Sequence, residues 1–150
     1  MPRTTRVADV VWEGNLARGI GLISGGSGAF AGLPFTLATR IAAKAEGKTS
    51  PEELLAAAHA GCYAMSLAGE LTAAETPPER LEVAATTVLD EVEGKGHRIV
   101  RMELSVRGRV PGVGASAFAG AVAAADAGCP FSALARDAGA EVAIDAALDA

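Results

Sequence analysis

The chain has 150 residues, half of them hydrophobic and 21% charged, with a formal charge of −5. That length suits one domain, residues 1–150, able to bury roughly two-thirds of its unfolded surface without disulfide staples. The acidic balance argues against a nucleic-acid surface, and no apolar run reaches the length of a signal peptide or a membrane span, so a soluble cytoplasmic protein is expected, with neither nucleic acid nor membrane as partner.

Residues 7–12, VADVVW, are β-branched and aromatic and predict a strand. After Gly14 and Asn15, the stretch RGIGLIS predicts a second strand joined to the first as a hairpin. The glycines of GGSGAFAG, 25–32, raise the idea of a phosphate loop, but the lysine and the strand–loop–helix setting are missing, so this is a turn. LPFTLATR, 33–40, then predicts a third strand ending in Arg40.

Ser50-Pro51-Glu52-Glu53 is a helix start, with Ser50 as the cap, Pro51 in the first helical position and Glu53 completing a capping box. The helix runs to about Leu71. Leu54, Leu55, Ala58, Met65 and Leu67 spread around its wheel, which predicts a helix apolar on most faces and buried centrally. In so short a chain that helix leaves a large apolar patch on a lone subunit, which favours a homodimer.

Beyond TPPER, Leu81, Val83, Ala85, Thr87 and Leu89 alternate with more polar residues, and Val100, Met102, Leu104 and Val106 alternate with Arg101, Glu103, Ser105 and Arg107. EGKGH, 93–97, supplies the turn of this antiparallel pair, with His97 in it and solvated. GVGASAFAGAVAAADAG predicts an alanine-rich helix, CPFSALARDAG a short one from Pro130 to Gly139, and AEVAIDAAL a last strand. The order β-β-β-α-β-β-α-α-β is that of an α+β fold with mixed or antiparallel sheets, since the repeated βαβ units of a doubly wound parallel sheet are missing.

Two cysteines in a reducing compartment are not there for bracing. Cys62 lies about twelve residues into its helix, too far from the amino end for the macrodipole to ionise it, so a nearby guanidinium is needed; Arg40 and Arg18 are the candidates. Cys129 directly precedes Pro130, at the cap of the last helix, where free N–H groups lower a thiol's pKa; it is expected to be accessible and moderately reactive. The plain alternative is that both are small buried hydrophobes. Glu52 is about 15 Å from Cys62 along a straight helix, so it acts on the thiol only through an arginine, after a helix break or from another subunit. His59, three residues before Cys62, is expected to be packed in support of its neighbours; no further ligands suggest a metal.

The segment SPEELLAAAHAGCYAMSL, 50–67, resembles the pattern of the OsmC/Ohr family of organic hydroperoxide reductases, and WEGNLARGIG, 12–21, and VPGVGASAFAGAVAAADAGCPFSALA, 110–135, resemble its OsmC (osmotically inducible protein C) branch. The resemblance implies an intertwined homodimer with central helices buried between sheets and active sites at the subunit interface. It implies a thiol peroxidase acting against oxidative or osmotic stress, with Cys62 as peroxidatic and Cys129 as resolving cysteine, Glu52 as the first glutamate of the PEEL motif, and Arg40 as the activating arginine. The Ohr branch takes that arginine from the early hairpin, where Arg18 stands; the OsmC-like features favour Arg40. An organic hydroperoxide substrate and an external dithiol reductant are implied, and no metal or cofactor. Leu33, Phe35 and Phe131 are candidate lining for an alkyl group. The competing expectations are a dimeric module that binds an apolar ligand without catalysis, and a redox sensor using the same cysteines.

Overall fold

The computed structural model describes residues 3–149. It contains the predicted strands and helices in the predicted order, with one additional helix. The chain forms two compact units, Met1–Pro51 and Glu52–Ala150.

In the first unit, β1 (Ala8–Glu13), β2 (Ile20–Gly25) and β3 (Leu33–Phe35) form an antiparallel meander. Gly21 of β2 stands opposite Trp12 on one side and Phe35 on the other, and the two rings pack with centroids 5.5 Å apart. A Cβ on Gly21 would lie 2.1 Å from the Phe35 ring, so only glycine fits beneath it. The glycine-rich segment between β2 and β3 is a loop, closed by the Gly32 N–H donating to Ser24 Oγ at 3.0 Å.

The third strand corrects the expectation for Arg40. β3 stops at Phe35, and Leu37–Ile41 form a short helix, α1, with Arg40 in its last turn. The cause is a reciprocal cap: Thr39 N–H donates to Thr36 Oγ1 at 3.1 Å, and Thr36 N–H donates to Thr39 Oγ1 at 3.3 Å.

In the second unit, β4 (Arg80–Val92) pairs antiparallel with β5 (Gly96–Arg109), with a register shift between Val88 and Leu89. β6 (Glu141–Leu148) pairs with the other edge of β5 in parallel, which requires a crossover. α3 (Ala115–Gly128) and α4 (Pro130–Asp137) supply it, meeting at Cys129 with a bend of 62°. α2 (Pro51–Ala73) presents His59, Tyr63, Leu67 and Leu71, one stripe at four-residue spacing, to this core. Tyr63, Leu67 and Leu71 pack in a cluster with Leu104, Val106, Val110 and Phe118; a fully buried side chain of this size contributes about 1.5–3 kcal/mol. Within the single chain α2 is not buried all round: Met65 is 73% exposed and Gly61 and Gly69 are also exposed, the exposed face that the sequence leads one to expect on a lone subunit.

Candidate active site

The two cysteines, well separated in sequence, meet where α2 crosses the α3–α4 junction. Cys62 is half-buried against the core cluster, and Cys129 is fully buried within it. Both are unlinked thiols, and Cys129 is near enough to Cys62 to influence its titration. Cys129 is the expected cap residue of α4, but it is not accessible: its side chain makes no capping hydrogen bond and is turned into the core towards Cys62. The backbone there is extended (φ −79°, ψ 115°), between the end of one helix and the start of the next, and the bend directs the side chain inward.

The amino end of α4 serves the other cysteine. The backbone of Phe131, in the first turn of α4, favours the Cys62 thiolate. Burial of the Cys62 thiol is the larger influence and pushes its pKa above the ordinary value, and the neighbouring Cys129 acts in the same direction. Within this unit the balance of these influences favours the thiol form of Cys62.

Two further ties join α2 to the same helices. Tyr63 Oη donates to the Val122 carbonyl on α3 at 3.0 Å. His59 Nε2 and Ser132 Oγ on α4 lie 2.9 Å apart, both side chains fully buried, while His59 Nδ1 has no partner. The His59 pKa is lowered by burial, with Asp126 opposing and Arg136 reinforcing the shift. Asp126 on α3 and Arg136 on α4 form an ion pair at 2.5 Å. His59 is thus the packed, supporting histidine expected, but Ser132, Tyr63, Asp126 and Arg136 carry no signal in the sequence that would single them out. Phe131, half-buried, lines an apolar cavity of about 90 Å³ with Leu55, Ile99, Met102, Leu134 and Ala135. A larger cavity, about 340 Å³, opens on the β4–β5–β6 face among Arg101, Glu103 and Asp145 and has neither cysteine in its lining.

Glu52 is half-buried in the first turn of α2. Arg40 on α1 and Arg18, exposed in the β1–β2 loop, belong to the first unit. Of the lining candidates, Phe35 packs on Trp12, and Leu33 pairs with Ile23 on β2. Among the described residues no group of three or more His, Cys, Asp or Glu side chains is placed to hold a metal ion, and no single helix is long and apolar enough to cross a membrane.

Comparison with known proteins places this arrangement. The peroxiredoxin OsmC of Escherichia coli (strain K12) is 38% identical over 134 residues, covering 89% of this chain and 90% of that protein, and the peroxiredoxin OsmC of Shigella flexneri matches to the same extent. Among solved structures, the organic hydroperoxide resistance protein OhrB of Bacillus subtilis superposes with a TM-score of 0.68 at 25% identity, covering 95% of this chain and 98% of that one. An OsmC-like protein of unknown function from Vibrio cholerae shares the fold with a TM-score of 0.75 at 12% identity, covering 97% and 100% of the two chains. The profile of the family described as OsmC-like protein matches residues 43–145, from the segment that follows α1 through both cysteines into β6, and the chain belongs to that family.

Proposed function

We propose that this chain is a cysteine-based peroxidase that reduces organic hydroperoxides, and hydrogen peroxide, to alcohol or water. The observation that carries this reading is the packing of two free thiols, Cys62 on α2 and Cys129 between α3 and α4, against one another in a single core cluster. The 38% identity to the E. coli peroxiredoxin OsmC over most of both chains supports it. Cys62 as thiolate attacks the distal peroxide oxygen, the O–O bond breaks, and the alkoxide or hydroxide leaves and takes up a proton, while Cys62 becomes a sulfenic acid. The Cys129 sulfur then attacks the sulfenic sulfur, water leaves, and a Cys62–Cys129 disulfide forms. An external dithiol reduces that disulfide, is itself oxidised, and restores both thiols.

The PEEL and FTLATR motifs support Arg40 as the cation that ionises Cys62 and stabilises the leaving oxygen, with Glu52 orienting it. In this reading residues 1–150 act as one domain in a cytoplasmic homodimer that defends against oxidative or osmotic stress. The exposed Met65 on α2 supports association of two copies. The apolar cavity beside Phe131 supports a preference for alkyl over purely polar peroxides.

The test is mass spectrometry of the reduced protein after one equivalent of cumene hydroperoxide. Wild type is expected to form the Cys62–Cys129 disulfide, Cys129→Ser to stop at a sulfenic acid on Cys62, and Cys62→Ser to be inert. Survival of both wild-type thiols would sink the reading.

A further inference from the structure

Among the described residues of the second unit, His59 and Ser132 are the buried polar side chains that meet each other inside an otherwise largely apolar core. His59 and Ser132 are both 0% exposed, and they meet there through a single 2.9 Å contact. The second ring nitrogen of His59 is buried without a partner, a standing cost that an apolar residue at this position would avoid. Packing alone therefore does not account for the pair. Its position suggests what does. Ser132 follows Phe131 and lies three residues after Cys129, in the turn where the Ala133 N–H donates to the Cys129 carbonyl at 3.0 Å. His59 lies on α2 three residues before Cys62. A bond between His59 and Ser132 thus joins the two backbone segments that carry the cysteines, and the Arg136–Asp126 ion pair holds the far end of α4 on α3.

We propose that His59 and Ser132 are positioning residues: their hydrogen bond docks the first turn of α4 on α2 and so sets the effective concentration of Cys129 at Cys62. Disulfide formation between two thiols within one chain is governed by how closely they are held before reaction, so a looser turn costs closure. Neither residue touches peroxide in this scheme. The thermodynamic part is independent of the peroxidase reading, and the kinetic part rests on it.

The test is the Cys62–Cys129 equilibrium in a buffer of reduced and oxidised dithiothreitol, where two electrons and two protons pass from the cysteines to the oxidised reagent as the disulfide forms. Ser132→Ala is expected to lower the equilibrium constant about tenfold, equivalent to about 30 mV. His59→Gln, whose amide reproduces the Nε2 position, is expected to stay within about threefold of wild type, and Val106→Ala, a purely apolar core change, within about twofold. If Ser132→Ala does not fold, His59→Asn, too short to reach Ser132, replaces it. The kinetic half follows one equivalent of cumene hydroperoxide, with dimedone trapping of the sulfenic acid: Ser132→Ala should close the disulfide about tenfold more slowly, a larger effect than any on the oxidation of Cys62. The proposal is overturned if the serine variant matches wild type in the dithiothreitol equilibrium, or if Val106→Ala shifts it equally. Wild-type thiols that ignore peroxide while the serine variant still shifts the equilibrium would remove the peroxidase reading and leave the positioning pair standing.

Discussion

The backbone of Phe131, in the first turn of α4, favours the thiolate of Cys62 on α2, while Cys129, which begins α4, makes no capping hydrogen bond with its side chain. Burial outweighs that influence and raises the Cys62 pKa. In the proposed mechanism a cation makes up the difference, and its effect is directly measurable.

Replacing Arg40 with alanine is expected to slow the reaction of Cys62 with cumene hydroperoxide about 100-fold and to raise the midpoint of its pH-dependent alkylation. Arg18→Ala should change both by no more than about twofold. Iodoacetamide labelling rates across pH, followed by peptide mass spectrometry, read the two variants side by side. An equal effect from Arg18→Ala would reassign the cation.

His59 links stability to acid. In the unfolded chain it titrates near its ordinary value of 6.5, and burial lowers that value in the fold, with Asp126 opposing and Arg136 assisting. Below about pH 6.5 the unfolded chain binds the extra proton first, so this contribution to stability is complete above that pH and declines as pH falls towards the folded value. Urea denaturation between about pH 5 and pH 8 should show the decline in wild type and a flatter profile in His59→Gln.

Tyr63 gives the opposite sign at the alkaline end. Burial, then Asp126 and Cys129, push its pKa up from the ordinary 10.0. The unfolded chain therefore loses its phenolic proton first, and stability falls as pH rises through about 10. Tyr63→Phe should abolish that component and cost about 0.5–1.5 kcal/mol at neutral pH through loss of the bond to the Val122 carbonyl. Equilibrium denaturation at the two pH values separates these effects.

In the first unit, Gly21→Ala forces the Phe35 ring off its place beside Trp12, since the new Cβ would lie 2.1 Å from that ring. A loss of about 1–3 kcal/mol is expected, with a change in tryptophan fluorescence that reports the displaced ring. Unchanged emission and stability would show that Phe35 is not held on this glycine.

For association, Met65→Lys introduces a charge on the exposed side of α2 and should shift two-copy assemblies of the 15.0 kDa chain towards monomer. Sedimentation equilibrium of both proteins decides it. Identical masses for both would place any interface elsewhere.

Much of this was legible in one dimension because the relevant forces are local. Pro51 marks the start of α2, the alternation of Met102, Leu104 and Val106 marks the buried face of β5, and Pro130 marks the start of α4. Arg40 lies on a helix and not at a strand end because the Thr36 hydroxyl stops β3 and caps α1, a reciprocal Thr36–Thr39 contact that LPFTLATR does not advertise. Cys129 is buried because the bend between α3 and α4 turns it inward, and local sequence carries no sign of that bend. Ser132 was invisible for a related reason: a serine in the first turn of a helix normally reaches its own backbone, and only the approach of α2 gives it a histidine.

The parallel pairing of β6 with β5 has a consequence for biosynthesis. α3, Cys129 and α4 all lie within the loop that this pairing closes, from Arg101 on β5 to Glu141 on β6. Joining such distant segments is slow, and its entropic cost comes before the reward. As a nascent chain leaves the ribosome, Cys62 emerges long before the strand that completes this sheet, so it is without the fixed position of Cys129 until β6 has emerged. Truncation ahead of Glu141 should yield a chain in which the two cysteines form mixed or intermolecular disulfides in preference to their own.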